Sequence, residues 1–138
     1  MKAYDENMIS EILENYRNVA VVGISDKKDR DSYQVSEYLS RKGYNIIPIN
    51  PKFSEWNGIK AFPDLASIPK DINVDIVDIF RKPEAVVPVV REALSIKPKV
   101  IWMQEGVINE EAADLARESG LKVVMDRCMM KEHEKLNR

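Results

Sequence analysis

The chain has 138 residues, 44% of them hydrophobic and 32% charged, with a formal net charge of −2. This composition describes one folded domain with a single core and excludes a disordered chain, and the mild negative balance offers no surface to nucleic acid or to a membrane. No apolar run approaches the roughly 20 residues needed to span a bilayer. Residues 1–7 are polar and lack the apolar stretch of a signal peptide. The single cysteine, Cys128, precludes an internal disulfide and fits a reducing, cytoplasmic setting. With one histidine beside it, it cannot build a Cys/His zinc site of the usual kind.

In chain order, Asp5 can cap a helix over 6–16, where Met8, Ile9, Ile12, Leu13 and Tyr16 keep helical spacing. The run 19–24 is apolar and β-branched, is broken at Gly23, and reads as a buried parallel strand. The polar loop 25–32 follows, and Asp31 or Ser32 caps a second helix. Val35, Tyr38 and Leu39 mark the buried side of that helix, and Gly43 ends it. Free N–H groups and the helix dipole make such a loop a phosphate cradle, and it reads equally well as a solvated turn. A second strand covers 44–50, with Pro48 expected near its end or at a bulge, since proline donates no ladder hydrogen bond.

Residues 51–73 hold Pro51, Gly58, Pro63 and Pro69 and read as an irregular excursion with a short strand at 58–62 and a helical turn at 64–68. The third strand is 74–80, whose Asp75 and Asp78 place at least one carboxylate at a sheet end or face. Pro83 opens a helix to Leu94, and Pro88 inside it demands a late start or a kink. A fourth strand at 99–103, a helix capped by Asn109 and closed by Gly120, a fifth strand at 121–125 and a helix over 128–136 complete the chain. Strands alternate with helices five times. The pattern specifies an α/β fold, a doubly wound, Rossmann-like, five-stranded parallel sheet in the order 3-2-1-4-5 with helices on both faces.

Ligands in such sheets bind outside the carboxyl ends of the strands, at the switch point. There the topology delivers Gly23 and Ser25 with their loop, then Pro51 and Lys52, Phe80, Arg81 and Lys82, Gln104, Glu105 and Gly106, and the segment Asp126-Arg127-Cys128. A cationic rim on a mildly acidic chain suits a multiply phosphorylated ligand better than it suits chance solvated charges. A dinucleotide fingerprint is absent, since Gly23 stands alone where G-x-G-x-x-G is needed. Lys52 also stands where a bare ribose would want an acid. Lysine there favours a phosphorylated ribose, as in NADP or coenzyme A.

The pieces Val-Val-Gly-Ile-Ser (21–25), Arg30-x-Ser32-Tyr33-x-Val35, Tyr-Asn-Ile-Ile-Pro-Ile-Asn-Pro-Lys (44–52), Val-Asp-Ile-Phe-Arg (77–81), Trp-Met-Gln-Glu-Gly-Val (102–107) and Asp-Arg-Cys-Met-Met-Lys-Glu (126–132) span nearly the whole chain. In them the sequence resembles the small single-domain CoA-binding proteins, whose fold is shared with the N-terminal domain of the succinyl-CoA synthetase α-subunit. The resemblance implies that Gly23, Ser25, Arg30, Ser32 and Tyr33 lie against the CoA phosphates. It places Pro51 and Lys52 at the adenosine end, with Lys52 near the 3′-phosphate. Phe80, Arg81 and Lys82 would line the adenine and phosphate region, and Gln104, Glu105 and Gly106 would close the crevice towards the pantetheine arm.

The synthetase needs a phosphorylated histidine in a second domain. Here His133 sits in a Lys/Glu-rich terminal helix and reads as solvated, Trp102 reads as core, and Cys128 reads as a small buried residue at a turn before it reads as a reactive thiol. No Ser-His-Asp, Cys-His or paired-carboxylate arrangement is evident. The sequence therefore predicts a single domain over 1–138 that binds CoA or acyl-CoA without an evident catalytic site. The alternatives are a small NADP-dependent oxidoreductase and a regulatory, nucleotide-sensing scaffold subunit.

Overall fold

The structure is a computed structural model and describes residues 6–136. The expected cap at Asp5 lies outside the described residues. Helix α1 (Glu6–Asn15) leads into β1 (Asn18–Val22), α2 (Asp31–Arg41) and β2 (Asn45–Ile49). A two-stranded hairpin follows, β3 (Glu55–Trp56) and β4 (Ile59–Lys60), then a 3-10 turn at Leu65–Ser67 capped by the Asp64 carboxylate, which accepts the Ser67 N–H at 2.9 Å. The chain continues through β5 (Ile76–Ile79), a 3-10 turn at Pro83–Ala85, α3 (Val86–Leu94), β6 (Val100–Met103), α4 (Glu110–Glu118), β7 (Lys122–Val124) and α5 (Met129–Leu136). Pro88 falls in the first turn of α3, where its missing N–H costs nothing, so the helix starts late and has no need of a kink. Asn109 caps α4 as expected, its side-chain oxygen accepting the Ala112 N–H at 2.9 Å.

The five longer strands are parallel and lie in the order β2-β1-β5-β6-β7. The expectation that 74–80 would lie outside β2 is corrected: β5 pairs directly with β1, Asp78 opposite Val21. The outer place is taken by Phe62, which makes one parallel bridge to Ile49 and exchanges hydrogen bonds with Pro48 and Asn50. Counting that bridge as a rudimentary third strand recovers the 3-2-1-4-5 pattern, with β5 as the fourth member. The reversal therefore lies between β1 and β5. Pro48 is the last residue but one of β2, near the strand end as expected and on the outermost of the five strands, where its carbonyl accepts the Phe62 N–H at 2.9 Å.

Alternate strand residues feed two cores. One face, with Val19, Val21, Ile76 and Trp102, is covered by Ile12 and Leu13 of α1, Val35 and Leu39 of α2 and Met129 of α5. The other, with Ala20, Ile47, Val77 and Ile101, is covered by Val86 and Val90 of α3 and Ala112 and Ala116 of α4. Trp102 is fully buried and its indole N–H donates to the Arg127 carbonyl at 2.8 Å. His133 is not the solvated residue expected. It is partly buried, its Nδ1 lies 2.8 Å from the Tyr38 hydroxyl, and the rings of Tyr38 and Tyr44 meet it edge-on. That burial, and then the charges of Lys42 and Arg17, lower its pKa.

The two aspartates of β5 part ways. The Asp75 carboxylate accepts the N–H groups of Arg17 and Asn18 at 3.3 and 3.1 Å, tying the sheet's lower end together. Asp78 is wholly buried within the sheet, and neither carboxylate oxygen has a protein partner, so burial raises its pKa well above the usual carboxylate range.

Candidate functional site

β1 is followed directly by Gly23, whose backbone cannot be that of another residue without rearrangement. Its φ is +85°, and a Cβ placed there would run into the Phe80 carbonyl oxygen and stand 3.3 Å from the Arg81 Cδ. The absent side chain lets the end of β5 close over the end of β1, with Phe80 N–H donating to Val22 O at 2.9 Å and the Arg81 stem lying across the glycine.

The loop after β1 is stapled by its own hydroxyls. Ser25 N–H donates to Ser32 Oγ at 2.9 Å, and Lys27 N–H donates to Ser25 Oγ at 3.0 Å. Asp31 and Ser32 were expected as caps of α2, but both lie inside its first turn. Arg30 holds the cap position and offers no side-chain hydrogen bond. The first N–H groups of this eleven-residue helix therefore have no capping side chain, which leaves them to a ligand or to water.

Asn50 organises the end of β2. Its amide N–H donates to the Ile24 carbonyl at 2.8 Å while its oxygen accepts the Lys52 N–H at 2.8 Å. The β3–β4 hairpin folds over the same loop. Trp56 donates its indole N–H to the Ser25 carbonyl at 2.9 Å and packs on Tyr33, whose hydroxyl accepts from Asn57 at 2.9 Å.

Two clefts open at these strand ends and share Arg81 as a wall. The smaller, about 150 Å³, is lined by Gly23, Asn50, Pro51, Asp64 and Arg81 among others. The larger, about 390 Å³, runs past Phe80, Arg81, Lys82, Gln104 and Glu105 to Val107, Cys128, Met130 and Lys131, with Asp31, Gln34 and Val35 of α2 opposite. Gln104 is buried and its side-chain oxygen accepts the Met129 N–H at 3.1 Å, which fixes the start of α5. Asp126, at φ +63°, accepts the Gly106 N–H at 2.7 Å and holds the loop after β6. Glu105 pairs with Lys131 at 3.0 Å across the mouth. That hydrogen bond, then the charge itself, raises the lysine's pKa.

Of the residues singled out from sequence, the structure brings Gly23, Pro51 and Arg81 to the smaller cleft and Phe80, Arg81, Lys82, Gln104 and Glu105 to the larger. Ser25, Arg30, Ser32, Tyr33, Lys52 and Gly106 lie outside both walls. Ser32 is spent on the loop and Tyr33 on the hairpin, while Lys52 is exposed beside Pro51. Sequence reasoning looked to Ser32 and Tyr33 of α2 and missed Asp31, Gln34 and Val35, which stand at one-turn spacing on a single helical face. It also missed Lys131, which no local signal marks, because only the fold sets it opposite Glu105. Among the described residues no group of three or more His, Cys, Asp or Glu is placed to hold a metal ion. No helix among them is long and apolar enough to cross a membrane.

The profile of the CoA binding domain family matches residues 17–134, which takes in every wall of both clefts. The chain belongs to that family. Similar proteins include the uncharacterized protein YneT of Bacillus subtilis (strain 168), 42% identical over 125 residues that cover 91% of each chain. A solved hypothetical protein from Pyrococcus horikoshii OT3 superposes with a TM-score of 0.93 at 40% identity, covering 99% of this chain and 94% of the other. The acetate–CoA ligase (ADP-forming) of Methanocaldococcus jannaschii is 26% identical over 132 residues, 88% of this chain and 18% of that protein. The likeness to the ligase is thus confined to less than a fifth of that protein's length.

The residues at hand fit a CoA ligand. Arg81 and Lys82 supply cations for phosphate, α2 offers uncapped N–H groups, and Val35, Phe80, Val107 and Met130 give the larger cleft the apolar walls that a pantetheine arm would need.

Proposed function

We propose that this protein is a stand-alone cytoplasmic binder of coenzyme A or acyl-CoA. The nucleotide half would sit at the β2 end, in the smaller cleft, and the pantetheine arm would pass Arg81 into the larger one. The observation that carries this reading is the shared wall. In a CoA-binding domain, two clefts meet at one arginine at the switch point between β1 and β5, where a doubly wound sheet takes its ligand. Arg81 is then the main phosphate contact and Lys52 a peripheral one, because its side chain lies in solvent outside both walls.

Calorimetric titration with CoA, dephospho-CoA and NADPH tests the reading. A charge-assisted contact inside the cleft is worth roughly 1.5–3 kcal/mol, so Arg81→Ala should weaken CoA binding by roughly ten- to a hundredfold. An exposed pair is worth about 0.2–1 kcal/mol, so Lys52→Ala should cost CoA less than about sixfold and dephospho-CoA less still. CoA should raise the thermal midpoint of the wild type, since a ligand of the folded state stabilises it by mass action. Binding of NADPH with no binding of CoA would overturn the proposal.

A further inference from the structure

The CoA reading leaves the one thiol of the larger cleft without a role. Cys128 precedes α5, is 7% exposed, and lines the same wall as Gln104, Val107 and Met130. It lies on the far side of Arg81 from the smaller cleft, so a ligand with its nucleotide at Gly23 and Pro51 directs its other end towards it. Lys131 lines the same cleft three residues on, with its ammonium on Glu105 at the mouth, so the wall that carries the thiol also carries a cation. The buried Gln104 side chain holds the Met129 N–H next to it, so the cysteine stands on a fixed helix start rather than on a loose loop.

We infer that the cleft sets the sulfur end of CoA against Cys128, so that the two sulfurs exchange with disulfides and the protein captures CoA covalently. This rests on the CoA reading above. The co-reactant is a low-molecular-weight disulfide, CoA disulfide. The Cys128 thiol loses its proton to solvent, and the thiolate attacks one sulfur of the CoA disulfide. The S–S bond between the two CoA moieties breaks, a bond forms between Cys128 and the attacked sulfur, and the other CoA leaves as thiolate. No net oxidation occurs beyond what the incoming disulfide already carries, and a dithiol reductant reverses the step.

The test is intact-mass spectrometry of the full chain incubated with CoA disulfide or with glutathione disulfide. Cys128 is the only cysteine, so an adduct needs no mapping. Binding concentrates the reacting sulfurs, so CoA disulfide should react at least about tenfold faster than glutathione disulfide. The preference should vanish in denaturant, and ADP as a competitor for the smaller cleft should reduce it. Equal native rates for the two disulfides would overturn the inference. Titration of Cys128→Ser and Cys128→Ala with CoA separates the two levels. CoA binding by either variant, with no adduct on the wild type, would refute the thiol exchange and leave the CoA reading standing. No CoA binding by wild type would remove both.

Discussion

Gly23 and Gly43 offer a measurement in which one variant controls the other. Both residues have positive φ, +85° and +96°, but a Cβ at Gly43 would meet nothing within 4 Å, whereas at Gly23 it would collide with the Phe80 carbonyl. Alanine at either site carries the left-handed penalty of roughly 1–2 kcal/mol. At Gly43 that is the whole cost. At Gly23 the end of β5 must also move away, which strains the Phe80 N–H bond to Val22 O and the Gly23 N–H bond to Ile49 O. Each such bond contributes about 0.5–1.5 kcal/mol, so Gly23→Ala should cost about 1–3 kcal/mol more than Gly43→Ala. Urea unfolding at matched m-values reads the difference as a shift in midpoint. Because the Arg81 stem lies against the same point, Gly23→Ala should also weaken CoA binding while Gly43→Ala leaves it unchanged. Equal losses of stability in the two variants would show that the β1–β5 contact does not require glycine.

Three further variants probe the buried and the looped carboxylates. For Asp78 the folded pKa lies above the ordinary value of 3.8, so the folded state holds a proton that the unfolded state has lost, and stability falls as pH rises from about that value towards the folded pKa. The slope is about 1.4 kcal/mol per pH unit across that window, and Asp78→Asn should abolish it; a difference between wild type and variant that does not vary with pH would contradict the buried neutral acid. Asp126→Ala removes the acceptor for the Gly106 N–H and should cost about 1–2 kcal/mol of stability and loosen CoA binding, while Asp126→Asn, which keeps the acceptor and tolerates positive φ, should retain most of both in the same unfolding and titration assays.

The strand–loop–helix unit from Asn18 to Arg41 was legible because its signals are local: an apolar run, a glycine and an amphipathic helix. The pairs β1–β2 and β6–β7 came out as expected, but the place of 74–80 was not legible, since β5 meets β1 through contacts far apart in the chain that no local signal marks. The rim at Arg81 and Gln104 followed from topology, as any residue just past a strand end must lie there. The roles of Ser32 and His133 did not follow. A hydroxyl or an imidazole looks alike in sequence whether it meets a ligand, a loop N–H or a tyrosine, and only the fold brings Ser25 to Ser32 and Tyr38 to His133. Of the hairpin that covers Ser25, β4 falls in the short strand expected at 58–62, while β3 stayed hidden because two residues are too few for any periodicity to show.

The bridge at Phe62 bears on how copies of this protein meet. An edge strand ordinarily presents a row of unpaired N–H and C=O groups, a template for another chain to extend the sheet and start a fibre. Towards the end of β2 that row is taken. Pro48 has no N–H to give, its carbonyl is held by Phe62, and the Asn50 N–H goes to the Phe62 carbonyl at 2.9 Å. At the opposite margin β7 offers three residues, too few to template a stable strand. Crowded molecules thereby find little to template strand-to-strand growth at either margin.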